Sequence, residues 1–146
     1  MSLFKKKRKT ISLRLIEFCQ DGYCAVVGES YYQEALLATS TTCEAGPEGR
    51  PTFTAVLVAE PRNPHDPNAI AIYSPHGQLG HLSRENALLY QPVLNEVARL
   101  GYDGGACEAY LTGGQPDKPF FGVVLRLAGP SECLVELQDE EAEDVS

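Results

Sequence analysis

"NAIAIYSPHGQLGHL", residues 68–82, decides the fold. Its first half, residues 68–74, carries Ala69, Ile70, Ala71, Ile72 and Tyr73 without a break. Pro75, His76 and Gly77 then reverse the chain: proline presets φ and glycine accepts turn conformations closed to other residues. A second short run, residues 78–82, follows. Two apolar runs joined by so tight a turn predict a β-hairpin.

Upstream, "TFTAVLVAE" (52–60) reads as a strong strand, and "ISLRLIEF" (11–18) and "GYCAVVG" (22–28) as two more. "ESYYQEALLAT" (29–39) predicts a short helix, with Ser30 as N-cap and Gln33 completing a capping box. "STTCEAGPEGRP" (40–51) reads as a surface loop. Downstream, Ser83 is placed to cap a helix over "RENALLYQPVLNEVARL" (84–100). Leu89, Val93, Val97 and Leu100 share one face of it, Pro92 is expected to break or kink it, and Gly101 to close it. "ACEAYLTGG" and "PFFGVVLRL" are the last two strands, with Phe120 and Phe121 facing opposite sides of the second. Six or seven short strands and two helices, without strict alternation, predict a mainly β chain: a small, largely antiparallel barrel flanked by two helices.

Of the 146 residues, 43% are hydrophobic and 22% charged, a globular balance with no run of about 18 apolar residues to span a membrane. The polar-interrupted start predicts no secretory signal. Five cysteines, an odd number, predict reduced thiols in a cytoplasmic setting (nuclear in a eukaryote), and Cys19 and Cys24 lack zinc-finger spacing. The net charge of −8 is uneven. Residues 1–10 hold five positive charges, read as a flexible basic arm, and residues 132–146 hold seven negative ones, read as a solvated acidic tail. That leaves −6 on the domain proper, residues 11–131, which excludes a broad basic face neutralising many phosphates.

Enzyme signatures are missing: no glycine-rich phosphate loop, no nucleophile elbow, no zinc-binding histidine pair. The expectation is a non-enzyme without cofactor or metal; a nuclease built on Asp66, Glu85 and a metal is the weakest reading. His65, His76 and His81 are scattered, and His76 falls in a turn open to solvent. Four features remain. Tyr31 and Tyr32 are adjacent on an element start and so point differently, both into packing or one onto a surface. Asn63 and Asp66 each precede a proline that fixes the corner, and Asp66 either satisfies that turn or faces a ligand. "GHLSREN" (80–86) places Arg84 at a helix start, a position suited to a phosphate or simply to water. Phe120 or Phe121 is available to stack on a base.

These residues, "VVGESYYQEAL", "LVAEPRNPHDPNAIAIY", "GQLGHLSRENA" and "CEAYLTGG…FFGVVLRL", resemble the HIRAN domain family over residues 22–127. The resemblance implies a six-stranded barrel related to OB and SH3 barrels. It also implies a module that binds single-stranded DNA and captures a free 3′ end during repair or replication-fork processing. By position, Tyr31 and Tyr32 correspond to the family's stacking pair and Asp66 to the carboxylate that accepts from the terminal 3′-hydroxyl. Arg84 stands for a phosphate-holding lysine and Phe120 for the late stacking aromatic. His81, on the strand before Arg84, joins this set. Two departures matter: Ser30 occupies the place of an arginine that precedes the tyrosine pair, and His65 that of a tyrosine. They favour an alternative, a non-catalytic assembly module with a degraded DNA cleft and a protein partner on the acidic tail.

Overall fold

The structure, a computed structural model, describes residues 12–46 and 49–145. Eight strands run β1 (Leu15–Glu17), β2 (Cys24–Val27), β3 (Glu44–Ala45), β4 (Pro51–Ala59), β5 (Ile70–Ser74), β6 (Gly77–Leu82), β7 (Gly104–Thr112) and β8 (Gly122–Arg126). Three α-helices join them: α1 (Gln33–Thr42), α2 (Arg84–Arg99) and α3 (Pro130–Val145). Six strands close on themselves in the order β7-β8-β2-β6-β5-β4 and back to β7, every pairing antiparallel. β1 adds to β7 in parallel and β3 to β4. The expected barrel is present, with three helices in place of two.

The decisive hairpin forms as its sequence requires. Ala71 pairs with His81 and Ser74 with Gly77, across a register shift between Ile72 and Tyr73. Ile70, Ile72 and Leu79 point into the barrel beside Leu57 and Leu125, all fully buried. Fully burying such side chains contributes about 1.5–3 kcal/mol each. Gly80 is required: its φ is 154°, and a Cβ would collide with the Val27 carbonyl and side chain of Val26. That close approach seats the end of β2 against β6.

Five expectations need correction. Ser30 caps nothing; it lies in a single 3₁₀ turn, Glu29–Tyr31, and α1 begins at Gln33 after Tyr32. The 40–51 segment is not all loop, because α1 runs to Thr42 and β3 follows. Pro92 leaves α2 unbroken from Arg84 to Arg99. Its ring is exposed, so the Leu88 carbonyl it deprives of a donor can meet water while Val93 and Leu94 stay buried. Leu89 is 58% exposed, and the buried face of α2 is Ala87, Tyr90, Val93, Leu94 and Val97. Ser83 does cap α2, accepting from the Asn86 N–H at 3.1 Å, and Gly101 follows its end with φ 88°.

The fifth correction is the acidic segment. Residues 132–145 lie in α3, which packs on α2 with Cys133 and Leu137 buried. Three of its acids are tied down: Glu136 accepts from the Cys19 N–H at 3.0 Å, Glu140 from the Tyr102 hydroxyl at 2.9 Å, and Glu141 from Arg99 at 2.9 Å. The basic segment 1–10 lies outside the described residues. Cys24, Cys107 and Cys133 are buried, Cys43 partly so, and Cys19 is exposed. Burial pushes the Cys107 and Cys133 thiols up to about 12, so both stay protonated.

Candidate nucleic-acid interface

One end of the barrel gathers the turn from β2 to α1, the β4–β5 corner and the β6–α2 junction. The corner is locked by its own side chains. Asn63 Oδ1 accepts from the backbone N–H groups of His65 at 2.9 Å and Asp66 at 3.2 Å, and Asp66 Oδ1 accepts from the Asn68 N–H at 2.9 Å. Backbone bonds close the loop from Glu60 to Ala69, and Gln91 of α2 donates to the Asn68 carbonyl at 2.8 Å. Asn and Asp before proline form such side-chain turns because proline removes the competing conformations.

Glu60, at the end of β4, links this corner to the sheet. Its carboxylate accepts from Asn63 Nδ2 at 3.2 Å and lies 2.7 Å from His81 Nε2, which assigns the ring proton to Nε2. Tyr32, Glu60, Arg62, Pro64, His65 and His81 line a groove of about 580 Å³. Tyr73 stands beside it. Burial, with Glu60 and Tyr32 alongside, raises its phenol above the ordinary range and keeps it neutral. Arg62 is exposed and, among the described residues, forms no ion pair.

The 3₁₀ turn is clipped to the start of β8. Gln33 accepts from the Phe121 N–H at 2.9 Å and donates to the Phe121 carbonyl at 3.0 Å, while Glu29 accepts from the Val123 N–H at 2.9 Å. Burial raises the Glu29 carboxyl above its ordinary value, opposed by the Val123 N–H and the Lys118 charge. Tyr31, 86% exposed, and Phe120, 69% exposed, are chain neighbours of the clipped residues. Phe120 and Phe121 precede β8 and do not alternate across it; Phe121 packs on the core.

Residues 20–109 match the HIRAN domain family. This chain belongs to that family. Membership supports a nucleic-acid-binding domain. No curated protein matches the chain. Two solved structures are similar to it. A Lactobacillus plantarum protein is 23% identical, with 70% of this chain and 88% of that chain covered and a TM-score of 0.43. The HIRAN domain of human HLTF is 20% identical, with 84% and 86% covered and a TM-score of 0.41.

In this HIRAN chain the structure brings Tyr32, His65 and His81 into one groove. Asp66 adjoins it, one residue past His65 on the same corner, half-buried and outside the groove's lining. One of its carboxylate oxygens serves the turn, as the purely structural reading requires, and the other has no hydrogen-bond partner among the described residues. Arg84 is exposed at the first position of α2, and Ser30 is exposed in the 3₁₀ turn; neither lines the groove. His76 is exposed, with its ring 2.9 Å from the Thr42 hydroxyl. Sequence reasoning missed Glu60, Arg62, Tyr73 and Gln33. Glu60 follows a strand already identified, so its place beside the corner was inferable, whereas Tyr73 sits near the far end of β5 and needed the folded sheet. The Gln33 clip reaches 88 residues along the chain and has no local signature.

No three His, Cys, Asp or Glu side chains among the described residues converge as a metal ion would require. No helix among them is long and apolar enough to cross a membrane.

Proposed function

We propose that this chain binds single-stranded DNA and reads a free 3′-hydroxyl end. In this reading Tyr31, Tyr32 and Phe120 stack on the terminal bases, and Arg84 and Arg62 meet backbone phosphates. Asp66 accepts from the terminal hydroxyl. The carrying observation is a hydrogen-bonded proline corner that holds the Asp66 carboxylate still beside a groove lined by Tyr32. A fixed carboxylate with a spare oxygen stabilises a hydroxyl donor and repels a phosphate at the same point, so a chain interior is rejected. The groove is equipped for binding rather than chemistry: it offers the Tyr32 ring and the Arg62 guanidinium, with His81 held by Glu60.

The net negative charge sets the expected scale. Few phosphates are neutralised, so affinity is modest and falls gently with salt. The test is fluorescence anisotropy of short oligonucleotides ending in a 3′-hydroxyl or a 3′-phosphate. The hydroxyl form binds about tenfold tighter if one charge-assisted hydrogen bond is at stake. Equal affinities overturn the reading.

The assembly-module alternative keeps the Ser30 and His65 departures in its favour, but its acidic segment is a packed helix rather than a free tail. Three of that segment's seven acids, Glu136, Glu140 and Glu141, are engaged within the fold.

A further inference from the structure

The barrel wall next to this interface carries a second patch that end reading does not use. Tyr110 of β7 is approached by Tyr23, whose ring centroid is 6.5 Å away at 79° in an edge-to-face arrangement. The Arg50 guanidinium lies 4.7 Å from the centre of the Tyr110 ring. Tyr23 is 70% exposed, so most of its ring surface meets solvent. Arg50, Tyr110, Gly113, Gln115 and Lys118 line a groove of about 460 Å³, and no carboxylate of the described residues lines it. Asp117 lies in the same loop but outside that lining.

The composition of the patch names its ligand class. Rigid rings, a guanidinium plane and an ammonium group, without a deep apolar cavity, suit alternating bases and phosphates. Geometry joins it to the first site. Gln115 and Lys118 exchange backbone hydrogen bonds of 3.1 and 3.0 Å, which shapes the β7–β8 loop. Phe120 follows two residues later, and Phe121 is clipped to Gln33 beside Tyr31. Lys118 therefore sits between the two surfaces, and its charge acts on Glu29 in the 3₁₀ turn.

We propose that this patch is a second binding track for the same single strand. A strand held by its 3′ end at Tyr31, Tyr32 and Asp66 passes Phe120, then lays its next nucleotides along Lys118, Tyr110, Arg50 and Tyr23. Phosphates meet the cations and bases stack on the rings. This rests on the end-binding reading above.

The experiment compares oligothymidylates of four and twelve nucleotides, each with a 3′-hydroxyl or a 3′-phosphate, on the full chain and on a Tyr23→Ala, Lys118→Ala double variant. Both altered side chains are exposed, so folding is retained. The dodecamer should bind the unaltered chain about tenfold tighter than the tetramer, since stacking one further base is worth that much. It should also show the steeper salt dependence. The double variant should lose both differences and keep the tetramer's preference for a 3′-hydroxyl end. A length gain that is absent, or that survives in the variant, overturns the track. If the length gain holds while hydroxyl and phosphate ends bind alike, the track stands and end reading falls. If neither length binds, both fall.

Discussion

The β4–β5 corner and helix α3 both carry carboxylates that make hydrogen bonds, yet they use them in opposite ways. In the corner, Asn63 and Asp66 bond their own backbone, and the side chains of Arg62 and His65 face outward to a groove. In α3, Glu136, Glu140 and Glu141 reach back to Cys19, Tyr102 and Arg99, and the helix hides Cys133 and Leu137. A density of carboxylates therefore distinguishes neither a tail nor a site. What matters is whether apolar residues one helical turn apart have a surface to bury against, and whether the polar groups are satisfied locally or across the fold.

That contrast can be broken at four points, in falling order of effect. Leu137→Ala should cost about 2–5 kcal/mol of unfolding free energy in denaturant titrations, because a buried cavity opens beneath α3. A solvated tail would register less than about 0.5 kcal/mol. Asn63→Ala should cost about 1–3 kcal/mol by removing two hydrogen bonds of about 0.5–1.5 kcal/mol each, and should speed amide exchange at Asp66. Unchanged exchange there would mean the corner is held by its prolines alone. Tyr31→Ala should leave stability within about 0.5 kcal/mol, given its exposure, yet weaken oligonucleotide binding by about 1–3 kcal/mol.

The smallest effect concerns Glu29, whose folded carboxyl is raised, chiefly by burial. The folded state then holds more protons than the unfolded one, so this group's contribution to stability falls as pH climbs through 4.5 toward the raised value. Glu29→Gln retains an oxygen to accept from Val123 and removes the buried charge. It should raise the melting temperature slightly at pH 7 and leave it unchanged near pH 4. A lower melting temperature at pH 7 would assign the dominant role to the Lys118 attraction.

Much of this was legible in the chain. Ile70, Ile72, Gly77 and Leu79 declare the hairpin, and Ser83 declares the start of α2, because period, turn chemistry and caps are local properties. The proline corner was equally local. Helix α3 was hidden because its Cys133 and Leu137 are few among seven negative charges, and only the presence of α2 gives them something to cover. Leu89 followed the helical period but fell just off the buried stripe. Gln33 matched a capping box in type and spacing, yet a stronger demand from Phe121, far along the chain, claimed its amide. At the candidate site, residue types pointed to Tyr31, Tyr32, Asp66 and Phe120, but the Glu60–His81 link needed the folded sheet.

Asp66→Asn tests the central claim most directly. The amide oxygen can still accept from the Asn68 N–H, so the corner persists while the charge disappears. Affinities for matched 3′-hydroxyl and 3′-phosphate oligonucleotides, measured side by side on both proteins, should converge in the variant through weaker hydroxyl binding and stronger phosphate binding. A preference for the hydroxyl end that survives the substitution would contradict the account.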